Sequence, residues 1–132
     1  MAGELILIVE DNEKNLKLAR DVLQFRGFRT LEATTAAEGI ALALEHRPDL
    51  VLMDIQLPDA DGVSALQRLR AEAATKAIPV VAFTASVMEA DRQRLDAAGF
   101  DGYLPKPIDV KVFPEQVQGY CESASEGRRG GA

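Results

Sequence analysis

The stretch Leu5-Ile6-Leu7-Ile8-Val9-Glu10-Asp11 is an unbroken apolar run that ends on two carboxylates. No polar residue alternates within it, so it reads as a strand buried on both faces, as in a parallel sheet. Leu50-Val51-Leu52-Met53-Asp54 repeats the pattern and ends on a third carboxylate. In an open α/β sheet the ligand site lies outside the carboxyl ends of the strands. Glu10, Asp11 and Asp54 therefore describe an acidic pocket.

Helical patterns separate the apolar runs. Asn12 is placed to cap a helix with Leu16, Ala19, Val22 and Leu23 on its apolar face, and Gly27 suits its C-terminal stop. A short strand over Arg29–Glu32 follows. Thr35-Ala36-Ala37-Glu38 is a capping box, opening a helix expected to present Ala37, Ile40, Ala41 and Leu44 to the core, with Pro48 ending the segment. Asp49–Met53 leads into the third strand, 57–62 is a loop by composition, and Ala65, Leu66 and Leu69 mark a third helix. Ile78–Phe83 is expected as a fourth strand, Glu89–Ala98 as a helix stopped by Gly99, and Asp101–Leu104 as a fifth strand. Asp109 is placed to cap a last helix through Tyr120, but Pro114 is comfortable only in a first turn, which argues for a later start.

Repeated βα units call for a doubly wound parallel sheet with helices on both faces, a (βα)5 α/β domain. The expected arrangement is flavodoxin-like, with strand order 2-1-3-4-5. That order sets strands 1 and 3 side by side at the switch point and gathers the three carboxylates. The domain is expected over residues 4–121, with 122–132 a disordered polar tail rich in Ser, Gly, Glu and Arg.

Composition removes several function classes. A net charge of −6, with no basic block larger than Arg128-Arg129, argues against nucleic-acid binding, which needs a basic face. No apolar run approaches the ~20 residues of a membrane span, and no signal-peptide pattern is present. The single Cys121 has no internal partner for a disulfide, in keeping with a reducing, cytoplasmic setting.

Crowded carboxylates repel by roughly 4 kcal/mol at ~4 Å and an effective dielectric of ~20, so a chain that keeps three together calls for a cation. Oxygen ligands with room for water suit Mg²⁺. Lys106, in Leu104-Pro105-Lys106-Pro107, follows the fifth strand and is placed to reach Asp54. Thr84 follows Val80-Val81-Ala82-Phe83 and faces the same rim. An acid pair, a central Asp, a hydroxyl and a cation at neighbouring strand ends make a site for forming an acyl phosphate.

Four stretches in order carry a specific resemblance: Ile8-Val9-Glu10-Asp11-Asn12, Leu52-Met53-Asp54-Ile55-Gln56-Leu57-Pro58, Val81-Ala82-Phe83-Thr84-Ala85 and Gly102-Tyr103-Leu104-Pro105-Lys106-Pro107. Over residues 4–121 the chain resembles the receiver domain of two-component response regulators. It is most similar to single-domain cell-cycle-type receivers and to receivers of hybrid histidine kinases. The resemblance implies that Asp54 accepts a phosphoryl group from a phosphohistidine. It implies that Asp11, Asp54 and the backbone carbonyl of Gln56 hold Mg²⁺, with Glu10 acting through water. It further implies that Thr84, Lys106 and the backbone N–H of Ala85 contact the phosphoryl oxygens, and that Tyr103 is a switch aromatic coupled to Thr84. Gln56 and Ser86 would flank the phosphoryl site. The partners implied are a sensor histidine kinase or a histidine phosphotransfer protein, and a downstream protein bound through the face of helix 4, strand 5 and helix 5.

Two other classes make different demands. An Mg²⁺-dependent phosphatase with an aspartyl nucleophile commonly places a second Asp two residues later as general acid; Gln56 stands there and transfers no proton at neutral pH. A phosphorylation-independent scaffold has no use for the full set of acidic, hydroxyl and ammonium groups. The expectation is a switch in phosphorelay signalling rather than an enzyme, without a DNA-binding output.

Overall fold

The computed structural model describes residues 3–85 and 89–130, with the side chains of 89–91 and 123–130 outside the description. Five strands alternate with five helices: β1 Leu5–Val9, α1 Glu13–Phe25, β2 Arg29–Ala33, α2 Ala36–His46, β3 Leu50–Asp54, α3 Gly62–Ala71, β4 Val80–Thr84, α4 Glu89–Ala98, β5 Gly102–Pro105 and α5 Phe113–Gly130. The strands pair in parallel in the order β2-β1-β3-β4-β5, as expected.

Successive strand residues point to opposite faces, and both faces are covered. Leu7, Val9, Val51, Met53, Val80 and Ala82 pack with α2, α3 and Leu95 of α4. Ile6, Ile8, Leu50, Leu52, Val81 and Phe83 pack with α1 and with Phe113, Val117 and Cys121 of α5. This two-sided burial explains the lack of polar alternation in β1, β3 and β4.

The helix starts follow their caps. Asn12 accepts a hydrogen bond from Asn15 N, Thr35 from Glu38 N and Asp61 from Ser64 N. The box at α2 closes one residue early, because the Glu38 carboxylate accepts from Thr34 N rather than from Thr35 N. The buried face of α2 also differs from the expected one. Ala36, Gly39, Ile40 and Ala43 face the sheet, whereas Ala37, Ala41 and Leu44 are exposed. Gly39 sets this rotation: a Cβ there would lie 2.7 Å from Val9 Cγ2, so the helix approaches β1 where no side chain intervenes.

Of the boundaries that shift, three have identifiable reasons, while β3 and β5 each lie one residue later than expected. Strand β2 continues to Ala33, whose carbonyl accepts from Glu10 N. Strand β4 begins at Val80 and ends on Thr84; Ile78 closes a turn on Thr75, and Val80 N donates to the Asp101 carboxylate. Arg70 secures this region, donating to the carbonyls of Lys76, Ile78 and Gly99 and to Asp101. Helix α5 starts at Phe113, with Pro114 in its first turn, while Asp109 caps the preceding turn through Lys111 N. Its backbone is helical to Gly130, across most of the segment whose composition suggested a tail, and Cys121 is its last described buried residue.

Candidate functional site

The site is assembled where β1, β3, β4 and β5 end. Glu10 leaves β1 with its backbone N–H on Ala33 and its Oε2 accepting from Asn12 N at 3.1 Å. Asp54, the last residue of β3, accepts from Gln56 N through Oδ1 at 3.0 Å. Lys106 is set by its own backbone N–H on the Thr84 carbonyl, at 2.9 Å. From there its ammonium reaches both Asp54 Oδ2 and Glu10 Oε1 at 3.1 Å.

Glu10 and Asp54 are buried, and Asp11 is exposed beside them. One oxygen from each lies within 4.8 Å of the others, a hard donor set that fits a divalent cation. Thr84 is buried at the end of β4. A cavity of about 230 Å³ opens over Asp54, lined by Ile55, Gln56, Thr84, Ala85, Lys106 and Arg94.

Burial, with the hydrogen bond and charge of Asp54 behind it, pushes the Glu10 carboxyl up to about 7. Burial alone would lower the Lys106 ammonium, but the Asp54 and Glu10 carboxylates outweigh it and hold Lys106 above its ordinary value. The raised Glu10 value has a consequence for stability. The fold binds this proton more tightly than the unfolded chain, so the contribution is complete below about 4.5 and is lost as pH rises through about 7. The metal-free protein should therefore lose on the order of 3 kcal/mol from this group between pH 4.5 and 8. Urea unfolding in EDTA checks this against Glu10→Gln, which should lack that part of the pH dependence; matching profiles would refute it.

The residues expected at the site are thus largely brought together: Glu10, Asp11, Asp54, Gln56, Thr84, Ala85 and Lys106 share one rim. Tyr103 is not part of the cavity lining. It is half-buried on β5 against the α2–α3–α4 side, with the Arg92 guanidinium 5.2 Å from its ring centroid. Ser86 lies outside the described residues. Two contributors escaped the sequence reading. Arg94 lines the cavity from α4, although an arginine on a polar helix gives no signal of that. Asp59, read only as loop, accepts from Ala36 N and Ala37 N at 2.8 and 3.0 Å, which ties the β3–α3 loop to the start of α2. These two bonds hold its carboxyl below the usual carboxylate range.

Among the described residues no helix is long and apolar enough to cross a membrane. The profile of the family described as response regulator receiver domain matches residues 6–118. The chain is 42% identical over 119 residues to the polar-differentiation response regulator DivK of Brucella anthropi, covering 90% of this chain and 97% of that protein. The receiver domain of a sensor histidine kinase from Pseudomonas aeruginosa, solved with a magnesium ion coordinated in its active-site cleft, is 32% identical with a TM-score of 0.83; the match covers 92% of this chain and 99% of that one. A response regulator receiver domain protein from Methanospirillum hungatei superposes with a TM-score of 0.85 at 25% identity, over 96% of this chain and 99% of that one. A parallel 2-1-3-4-5 sheet whose adjoining strand ends carry three carboxylates and a lysine, matched by this profile and these relatives, makes the chain a member of the response regulator receiver family of two-component signalling.

Proposed function

We propose that Asp54 is the phosphoacceptor of a phosphorelay receiver. The observation that carries this reading is the environment of its carboxylate. One oxygen is fixed by Gln56 N, the other faces the Lys106 ammonium, and the group opens into a cavity lined by Thr84 and Ala85. Asp54 forms a bond to phosphorus as the phosphorus–nitrogen bond of a phosphohistidine breaks and the imidazole leaves with the electron pair. Lys106 neutralises charge on the phosphoryl oxygens, while the Thr84 hydroxyl and the Ala85 N–H donate to them. Asp11, Asp54 and the Gln56 carbonyl would hold Mg²⁺, with Glu10 assisting through water; the ion would supply electrostatic stabilisation of the transferring group. The donor set supports this assignment, as does the magnesium in the Pseudomonas aeruginosa receiver.

The phosphate donor is a sensor histidine kinase or a histidine phosphotransfer protein. The output is a protein contact on the α4–β5–α5 face, where Tyr103 responds to Thr84 by shifting a two-state equilibrium. The test is labelling by acetyl phosphate or by a histidine kinase in Mg²⁺, with the modified residue mapped. Label is expected on Asp54 and lost in Asp54→Asn, whose circular dichroism stays native. Undiminished label in that variant would remove Asp54 as the acceptor.

A further inference from the structure

We propose that Arg94 is a second cationic contact for the phosphoryl group in the Asp54 cavity. The proposal builds on Asp54 being the acceptor. Arg94 projects from α4, an element that supplies none of the groups otherwise assigned there, yet it lines the same cavity as Asp54, Thr84, Ala85 and Lys106. Lys106 already divides its ammonium between Asp54 and Glu10, at 3.1 Å from each. An ammonium has three N–H donors, so those two contacts leave one for an arriving group.

A phosphoryl group brings three acceptor oxygens and close to two negative charges. It arrives beside Asp54 and Glu10, two buried carboxylates that share that single ammonium. With the metal drawn to the three clustered carboxylates, a further cation at the mouth adds to what Lys106 and the ion would offset. A guanidinium suits the task because its planar fork donates to two oxygens at once. With acetyl phosphate as donor, an Asp54 oxygen bonds to phosphorus as the phosphorus–oxygen bond to acetate breaks. Acetate departs as the anion with the electron pair, and no proton moves. Arg94 acts on the phosphoryl oxygens throughout and takes no part in bonding.

Rates of Asp54 labelling against acetyl phosphate concentration, at saturating Mg²⁺, test the assignment in the wild type, Arg94→Ala and Arg94→Lys. Arg94→Ala should raise the KM for acetyl phosphate about tenfold, since charge-assisted hydrogen bonds are among the strong ones, with Arg94→Lys recovering part of the loss. The Kd for Mg²⁺ without phosphodonor should stay the same or fall in Arg94→Ala, because a positive charge has left the neighbourhood. An unchanged KM overturns the proposal and leaves Asp54 as acceptor. Parallel weakening of Mg²⁺ and acetyl phosphate also overturns it, by showing a purely structural role. A wild type that takes no label on Asp54 would instead remove the acceptor reading and this proposal with it.

Discussion

In metal-free protein above pH 7, Lys106→Met is expected to lower the unfolding free energy by about 3 kcal/mol, the range for removing one partner of a buried ion pair. The Lys106 side chain is 19% exposed, and the carboxylates it joins are 1% and 4% exposed at Glu10 and Asp54. Without the ammonium these two charges keep their desolvation cost and lose their compensation. Two conditions should shrink the effect. Below pH 7 Glu10 takes up a proton, which removes one of the opposed charges. Saturating Mg²⁺ should restore a cation to the same cluster. Denaturant unfolding of both proteins in EDTA and in Mg²⁺, at pH 6 and 8, checks the pattern. Equal destabilisation in all four conditions would mean that the loss is one of packing rather than of charge.

The second large effect is expected at Gly62. A Cβ there would lie 2.7 Å from Ile55 Cα and 2.8 Å from the Asp54 carbonyl oxygen. Both are backbone atoms in the segment that carries Asp54, so no side-chain rotation makes room. Gly62 N also donates to the Ile55 carbonyl at 2.9 Å, and a helix pushed outward would break that bond. Gly62→Ala should cost about 2–3 kcal/mol, as overpacking does. It should also weaken Mg²⁺ binding on the order of tenfold, because the first residues of α3 press directly on the Asp54–Ile55 backbone. Gly119→Ala is the matching control. Nothing lies within 4 Å of a Cβ at that position of α5, and helix propensity favours the change by about 0.5–1 kcal/mol. Normal Mg²⁺ affinity in Gly62→Ala would show that α3 moves without disturbing the site.

The sheet was legible because its strands are buried on both faces, which leaves runs such as Leu50–Met53 with no polar interruption. The acidic site was legible for the same reason, since a carboxylate that abruptly ends such a run stands out. Rotation of α2 was not. Ala36, Ala37, Ala41 and Ala43 offer two nearly equivalent stripes, and the choice between them lies in the approach of Gly39 to Val9. Pro114 indicated a late start for α5, and its first turn does hold that residue. Arg94 and Asp59 were hidden for a different reason. The cavity that Arg94 lines and the N–H groups that Asp59 accepts from belong to other elements, and neither residue departs from what a polar helix face or a loop ordinarily contains.

The Arg70 clamp has a mechanical consequence. By holding the Gly99 carbonyl and the Asp101 carboxylate, it anchors the turn that follows α4 to the end of α3 and the approach to β4. Helix α4 is thereby a lever with its pivot at the Ala98 end. A push delivered near Thr84 should therefore turn the helix about that end, with the greatest sweep expected at Glu89. Arg94 and Arg92 lie part-way along that arm, so a small turn of the helix changes their reach into the cavity and over Tyr103 together.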